Sequence, residues 1–316
     1  GLYLLGSVLA SFAPNLELLV LARFIQGLGA SAAMVLPRVI INDTHQPRAA
    51  AASLAAVTAA MAITPMISFP LGGILFEFFG WRGSMVVAAF LGVVTIVSAL
   101  FLLQETNNAR QTSLRLASVA VNYLSLTKNK QFLLFAMNMG FHTSIFYAFL
   151  NFLPFVFKHL GYSASEFGYF IMLLPASFIV GSLISKKLTP ILGITTMVRM
   201  GSLIIVAGIG VMAGLVFLGF ESAWGLVLPG MVYSLAVGFS LPNATMGAIN
   251  AVGRSVRGLG SGLAGSLQML LGSGIAASTI LLGAAEDTRI GLGILLLVAI
   301  ASFITTLFLV KDSEDT

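Results

Sequence analysis

The sequence contains no cysteine and few charged residues. Among its 316 residues only 9% are charged, whereas 58% are hydrophobic. The missing cysteines exclude disulfide bonds and thiolate chemistry. Soluble domains carry about 25% charged residues, so a soluble fold would lack the polar surface it needs. The mean hydropathy of +1.01 instead indicates an integral membrane protein.

Motifs of enzymes and of ATP-driven pumps are also missing. No glycine-rich phosphate-binding loop precedes a Lys-Ser or Lys-Thr pair, so the sequence does not support transport driven by ATP hydrolysis. Without a His-Glu-x-x-His motif or a cysteine ligand set, the sequence indicates no metal site and no cofactor. The net charge is +5, and because the cations cluster in short loops they favour a topological role over nucleic-acid binding.

Long apolar runs fill most of the chain. A spanning helix needs about 20 predominantly apolar residues, and short polar stretches separate ten candidate runs. The sequence therefore predicts an all-α, polytopic bundle with about ten spans. They cover residues 1–13, 16–41, 50–78, 83–103, 132–156, 167–185, 200–219, 224–249, 259–284 and 290–310.

Lysine and arginine are distributed unequally between the two sets of loops. Eleven fall on one side and three on the other, and this bias predicts that the larger set and the C-terminus are cytoplasmic. The larger set is Arg48, Arg110, Arg115, Lys128, Lys130, Lys186, Lys187, Arg199, Arg254, Arg257 and Lys311; the smaller is Arg82, Lys158 and Arg289.

One long polar connection divides the runs into four and six. Residues 104–131 form this predicted cytoplasmic loop, between an incomplete half-bundle at 1–103 and a six-span half-bundle at 132–316. Gly1 lies inside an apolar run, so missing N-terminal sequence is expected, and a 6+6 arrangement would place two further spans before it. Two six-helix halves around a cavity are the architecture of the major facilitator superfamily.

Residues 21–33 read "LARFIQGLGASAA". Arg23, Gln26, Gly27, Gly29 and Ala30 fit the R-x-x-Q-G-x-G-A pattern, which resembles the fourth span of proton-coupled antiporters in that superfamily. On this numbering the visible spans are 3 to 12.

Residues 63–82 are similar to the antiporter motif of the fifth span, P-x-x-G-P-x-x-G-G. Pro65, Gly72 and Gly73 occupy motif positions. Pro70 lies one residue after the position of the motif's second proline, and Ser68 replaces the first glycine of the motif.

Residues 238–278 resemble the tenth and eleventh spans of the bicyclomycin-resistance (Bcr/CflA) branch of drug:proton antiporters. The similarity lies in Pro242-Asn243-Ala244, Gly260-Ser261-Gly262 and Gln268-Met269. Residues 167–188 resemble the eighth span of that branch.

Arg23 is the main candidate for proton coupling. An arginine at mid-membrane depth costs at least about 2.5 kcal/mol, so it should face the bundle interior or water, with Gln26 on the same helical face. In the resembling antiporters this arginine is associated with proton coupling. The alternative is that Arg23 snorkels to the outer interface.

Asp43 and Arg38 lie near the predicted cytoplasmic end of span 4. The resemblance implies that an acid at the position of Asp43 helps to latch one state of the transporter, as part of a cytoplasmic gate. An ordinary helix-end charge is the alternative for Asp43. For Arg38, snorkelling or latch pairing fits better than substrate contact.

Five residues are candidates for lining a substrate cavity: Asn138, His142, Phe149, Asn243 and Gln268. His142 could titrate near neutral pH and shuttle a proton. A histidine within a span more often bonds across helices, and the same choice between cavity and helix bridge applies to the amides. Phe149 could form part of an apolar binding wall or simply pack.

The resemblance implies a proton-coupled exporter of drugs or other small apolar molecules, working by alternating access. Its expected partners are a small-molecule substrate, protons and the lipid bilayer, and a monomer in the inner membrane is expected. A facilitator that exports one metabolite or sugar is an alternative. Another is a scaffold or receptor that transports nothing.

Overall fold

The computed structural model of the protein describes residues 1–44, 47–102, 123–253 and 256–310. Within them the chain forms ten helices of eight residues or more and no β-strand, which confirms the predicted all-α fold class. The helices are α1 (Leu2–Ser11), α2 (Leu16–Thr44), α3 (Pro47–Leu102), α4 (Lys130–His159), α5 (Ala164–Ile171), α6 (Leu173–Leu192), α7 (Ile194–Phe217), α8 (Ala223–Asn250), α9 (Arg257–Leu281) and α10 (Thr288–Leu307).

Seven helical stretches in the described part of the chain are long and apolar enough to cross a membrane. Hydrocarbon offers no partner to a free peptide group, so a helix, which bonds its own backbone, is the form such a segment takes. The stretches are Ala56–Leu102, Lys130–His159, Ala164–Leu192, Ile194–Phe217, Ala223–Asn250, Arg257–Leu281 and Thr288–Leu307. The first contains two of the ten predicted spans, and α1 and α2 correspond to the remaining two.

Helix α3 combines the predicted spans 50–78 and 83–103 in one run of 56 residues. Gly80 divides this run, because its φ of 65° and ψ of −171° lie outside the helical region. Without a side chain, Gly80 adopts a positive φ at no steric cost. The loop expected around "FGWRG" is therefore reduced to a single non-helical residue.

The predicted span 167–185 begins earlier than expected and is divided at Met172 into α5 and α6. The start of α5 is a capping box. The amide of Ser163 donates to Glu166 Oε2 at 2.7 Å, and the amide of Glu166 donates to Ser163 Oγ at 3.2 Å. These reciprocal bonds satisfy backbone donors that would otherwise be free, which fixes the helix start.

The chain divides into two compact units. The first is Gly1–Leu114 with Ser163–Tyr169, and the second is Arg115–Tyr162 with Phe170–Thr316. In the first unit α1 packs on α2 and α3; in the second, α4 packs on α8, α9 and α10, and α8 packs on α6 and α7. Most of the predicted inter-half loop 104–131 lies outside the described residues, so the half-bundle boundaries stay a prediction.

Helices α6 and α8 of the second unit approach each other at backbone distance. A Cβ atom on Gly181 would collide with the carbonyl oxygen of Leu235, and one on Gly238 would lie 2.5 Å from the carbonyl oxygen of Phe178. Apolar side chains gain little by leaving lipid for each other, so association between spans depends on close packing of this kind.

Replacing Gly181 by alanine should lower the thermal stability of the protein in detergent, by about 1–3 kcal/mol for forcing a methyl group into closed packing. Gly214→Ala on α7 is the matched control, because a Cβ atom there meets nothing within 4 Å. Alanine is intrinsically favoured over glycine in a helix by about 1 kcal/mol, so the control should be neutral or stabilising. Equal melting temperatures for the two variants would contradict the close contact.

Candidate functional site

Arg23 and Gln26 lie one turn apart on α2 and are in contact. Arg23 Nη1 donates to Gln26 Oε1 at 2.6 Å and also lies 3.9 Å from the sulfur of Met85. Gln26 Nε2 donates to Ser7 Oγ at 2.7 Å, and Ser7 Oγ donates to the carbonyl oxygen of Tyr3 at 2.8 Å. A directed chain of hydrogen bonds therefore connects α2 to α1.

The direction of this chain follows from the chemistry of arginine. A guanidinium has donors only, so Gln26 must present its oxygen to Arg23 and its NH₂ group to Ser7. Ser7 and Gln26 are buried, at 0% and 5% exposure, whereas Arg23 is exposed. The buried pair thus holds one edge of the guanidinium, and the positive charge stays on the open face of α2.

Arg23 lies seven residues after Leu16, the first residue of α2, which corresponds to about 10 Å along the helix. At this depth an exposed arginine faces either water within a bundle or the interface region of the bilayer. Both alternatives considered for Arg23 are compatible with its position. A snorkelling arginine packs only the aliphatic part of its side chain. Arg23 differs from it because its guanidinium also bonds to Gln26.

Arg38 and Asp43 both belong to the last part of α2. Their side chains lie outside what the structure describes, so the proposed cytoplasmic gate stays a prediction.

The residues of the antiporter motif lie on α3, at a contact with α5. Pro65 and Pro70 are inside the helix, and Pro70 is buried. A Cβ atom on Gly73 would collide with the backbone of Ala164, whereas Gly72 faces open space. Of the two motif glycines, Gly73 is therefore the one that permits the close approach.

Gly168 of α5 makes the reciprocal approach to α3. A Cβ atom on Gly168 would lie 2.5 Å from the carbonyl oxygen of Phe69 and 2.9 Å from Cα of Pro70. We refer to the approach of Gly73 and Gly168 to these facing backbones as the glycine contact. Both of its sides belong to the first unit, because Ser163–Tyr169 cluster with it.

Glu77 bonds to α5 one helical turn beyond Gly73. Its carboxylate accepts from the amide of Ser165 at 2.9 Å and from Ser165 Oγ at 2.7 Å. A carboxylate is favoured at a helix N-terminus, where backbone N–H groups are free. Glu77 was not among the residues selected from the sequence; its spacing of four residues from Gly73 was the available signal.

Asn138 and His142 lie on one face of α4 at the centre of a polar cluster in the second unit. Asn138 Nδ2 donates to Ser202 Oγ and to Ser302 Oγ, both at 3.0 Å. The same two hydroxyl groups lie 3.3 Å and 3.0 Å from His142 Nε2. Ser240 Oγ donates to Asn138 Oδ1 at 3.3 Å. One asparagine and one histidine thereby connect α4 to α7, α8 and α10.

This cluster is closed to solvent: Asn138, His142, Ser202, Ser240 and Ser302 are each 0% exposed. Their contacts match the helix-bridging alternative for both α4 residues. The cavity-lining role of Asn138 and His142 stays a prediction that these contacts do not support.

Asn243 and Gln268 also bond across helices. Asn243 Nδ2 donates to Ser185 Oγ at 2.8 Å, and its Oδ1 accepts from Thr189 Oγ1 at 3.0 Å, which joins α8 to α6. Gln268 Nε2 donates to Thr143 Oγ1 at 2.7 Å, which joins α9 to α4. Asn243 is buried, whereas the bond of Gln268 is only partly buried.

Phe149 is packed inside the second unit, with 1% of its surface exposed. Its ring meets Tyr233 edge-on, with centroids 5.5 Å apart and planes at 81°. Edge-to-face pairs of this kind are favoured by the ring quadrupoles. Its position fits the packing alternative.

Replacing Asn138 by alanine should destabilise the protein by about 1–2 kcal/mol, because buried serine hydroxyls lose their shared partner where no water replaces it. The matched control is Asn250→Ala, since Asn250 is exposed at the end of α8. Thermal unfolding in detergent would give the difference. Equal melting temperatures for the two variants would show that the cluster contributes nothing measurable.

Comparison with known proteins places the chain among membrane transporters. A profile of the major facilitator superfamily matches residues 1–277. The chain is 26% identical to the uncharacterized MFS-type transporter YdgK of Bacillus subtilis (strain 168) over 301 residues, which cover 94% of this chain and 74% of that protein. It is 28% identical to an uncharacterized transporter of Rickettsia bellii over 195 residues, or 59% of this chain and 47% of that protein.

A shorter similarity connects the chain to the multidrug resistance protein MdtL of Escherichia coli. The two are 31% identical over 113 residues, or 36% of this chain and 29% of MdtL. The chain thus aligns with less than half the length of the Rickettsia protein and less than a third of MdtL.

Among solved structures, that of a D-xylose-proton symporter is similar in fold, with a TM-score of 0.79 at 14% identity. The superposition covers 100% of this chain and 80% of the symporter chain. An inward-facing bacterial homologue of the lysosomal transporter Spinster gives a TM-score of 0.66 at 15% identity over 98% of this chain and 78% of its own. At such identities the agreement concerns the fold alone. With the superfamily match over 277 residues, it follows that the protein is a multi-pass membrane transporter rather than an enzyme, and that it belongs to the major facilitator superfamily.

Proposed function

We propose that the protein exports drugs or other small, largely apolar molecules in exchange for protons. The observation that carries this proposal is the hydrogen-bonded chain from Arg23 through Gln26 to Ser7. Its two α2 residues are the polar positions of the R-x-x-Q-G-x-G-A pattern of proton-coupled antiporters.

The chain holds a permanent positive charge at a defined place. Arginine does not deprotonate in proteins, so Arg23 cannot itself carry the proton. Its charge can act on a carboxyl group that comes within about 4–6 Å, because a nearby cation lowers the pKa of an acid. Such an acid releases its proton when it meets the guanidinium and takes one up when the two separate.

Drug export is the substrate class that we favour. The similarity to MdtL, a multidrug resistance protein by name, supports it over part of the chain. The resemblance of residues 238–278 to the bicyclomycin-resistance branch points the same way. Apolar substrates also suit a bundle whose described spans carry few charges.

Alternating access is the mechanism that this fold suggests, with two half-bundles that expose a central site to each side in turn. In this proposal residues 1–103 belong to one half and 132–316 to the other, as predicted from the sequence. The excess of lysine and arginine in one set of loops supports a cytoplasmic C-terminus. The protein would act as a monomer in the inner membrane of a bacterial cell.

Arg23→Ala should uncouple export from the proton gradient while leaving the protein in the membrane. In proteoliposomes, drug efflux driven by an imposed pH gradient should fall about tenfold, a loss of about 1.4 kcal/mol of coupling free energy. Binding of the drug in the absence of a gradient should change far less. Arg23→Lys should recover only part of the activity, because an ammonium group lacks the planar fork of donors.

Arg289→Ala is the control for loss of one positive charge, since Arg289 is exposed at the start of α10. It should transport like the unmodified protein. Normal pH-driven export by Arg23→Ala would remove Arg23 from the coupling mechanism. If the unmodified protein moves no drug under a pH gradient, the proposed function itself is wrong.

A further inference from the structure

The contact between α3 and α5 has two parts of different strength. The glycine contact brings two backbones together without interlocking side chains. Polar contact between the two helices comes from Glu77, whose carboxylate takes both the amide and the hydroxyl of Ser165. Two smooth surfaces can separate without rearrangement of their side chains. The two hydrogen bonds accepted by Glu77 can therefore decide whether α3 and α5 stay in contact.

The segment held by Glu77 belongs by sequence to the region that follows α4. Ser163–Tyr169 nevertheless cluster with the first unit, whereas Phe170 onward belongs to the second. Only Met172 separates α5 from α6. A change in the hold on α5 would therefore act directly on α6, the next helix of the predicted span 167–185.

Two other charged residues near this contact, Glu166 and Arg82, have partners of their own. Glu166 bonds the amide of Ser163 within its own capping box. Arg82 donates to the carbonyl oxygen of Ala13 at 3.0 Å and lies over the ring of Trp81. Glu77 is thus the acid whose carboxylate is directed across the contact, and it is exposed, so water can replace its bonds when the helices part.

We infer that Glu77 is a releasable latch that holds α5 on α3 in one state of the transport cycle. This inference rests on the proposed alternating-access function, and it makes the contact between α3 and α5, beside Gly80, a gate controlled by one residue. In the proposed orientation the break at Gly80, within α3, faces the outside, because Arg82 belongs to the smaller set of loop cations. The bonds to Ser165 close the gate, and their exchange for water opens it.

The absence of cysteine provides a clean background for a direct test. Spin labels on Phe78→Cys and Tyr169→Cys, two exposed positions that flank the contact, would report the separation of α3 and α5 by EPR spectroscopy. Glu77→Gln keeps the size of the side chain and removes its charge. It should increase the open population roughly threefold, the scale of an exposed charge-assisted contact.

Glu166→Gln is the matched control, because it removes the same charge beside the start of α5 but concerns only the capping-box bond to Ser163. It should leave the spin-label distances unchanged. The measurement needs no substrate and no gradient, so it stands even if the protein transports something other than drugs. Identical distance distributions for Glu77→Gln and Glu166→Gln would overturn the latch.

A covalent replacement of the latch tests its role in the cycle. In Glu77→Cys/Ser165→Cys, cross-linking with a short bifunctional thiol reagent that carries a cleavable disulfide should stop transport, and a reductant should restore it. In each single cysteine variant the reagent should leave the transport rate as it was before treatment, whatever that rate is. Transport that continues in the cross-linked protein would show that α3 and α5 need not separate, and the gate would be rejected.

Discussion

Spans in a bilayer cannot hold one another by the hydrophobic effect, because lipid is as apolar as their side chains. Two kinds of contact remain, namely the close approach of backbones at small residues and the hydrogen bond between polar side chains. Both kinds occur in this protein. Gly181 and Gly238 bring α6 and α8 together, while the cluster around Asn138 joins four helices.

Buried and exposed polar side chains contribute to this protein in different ways. In the second unit Asn138 and His142 are fully buried, with partners that are also buried. In the first unit Arg23 and Glu77 are exposed, although each is fixed by a specific bond. A buried bond in hydrocarbon has no competitor, so it stabilises one arrangement. An exposed bond competes with water, so it can be made and broken within a working cycle.

The sequence was sufficient to predict the all-α fold and most helix positions, because long apolar runs have only one solution in lipid. It also placed Arg23 with Gln26, and Asn138 with His142, since spacings of three and four residues put side chains on one helical face. These predictions depend on periodicity within one segment, which is visible in the sequence itself.

The partners of those residues could not be predicted. Ser202 and Ser302 lie 64 and 164 residues from Asn138, and serine is common in spans, so nothing in the sequence selects these two. Gly80 reduced an expected loop to a single residue, because a glycine with a positive φ can interrupt a helix within one position. The bond of Glu77 to Ser165, 88 residues away, depends on how α3 meets α5, which no local pattern specifies.

The closed cluster around His142 also has a mechanical consequence. Sliding any one of α4, α7, α8 or α10 along its axis would stretch a hydrogen bond at a point that water does not reach. The restoring force is therefore steep, and the four helices respond to a load as one stiff body. Elastic compliance is left to places without such bonds, such as the single-residue breaks at Gly80 and Met172.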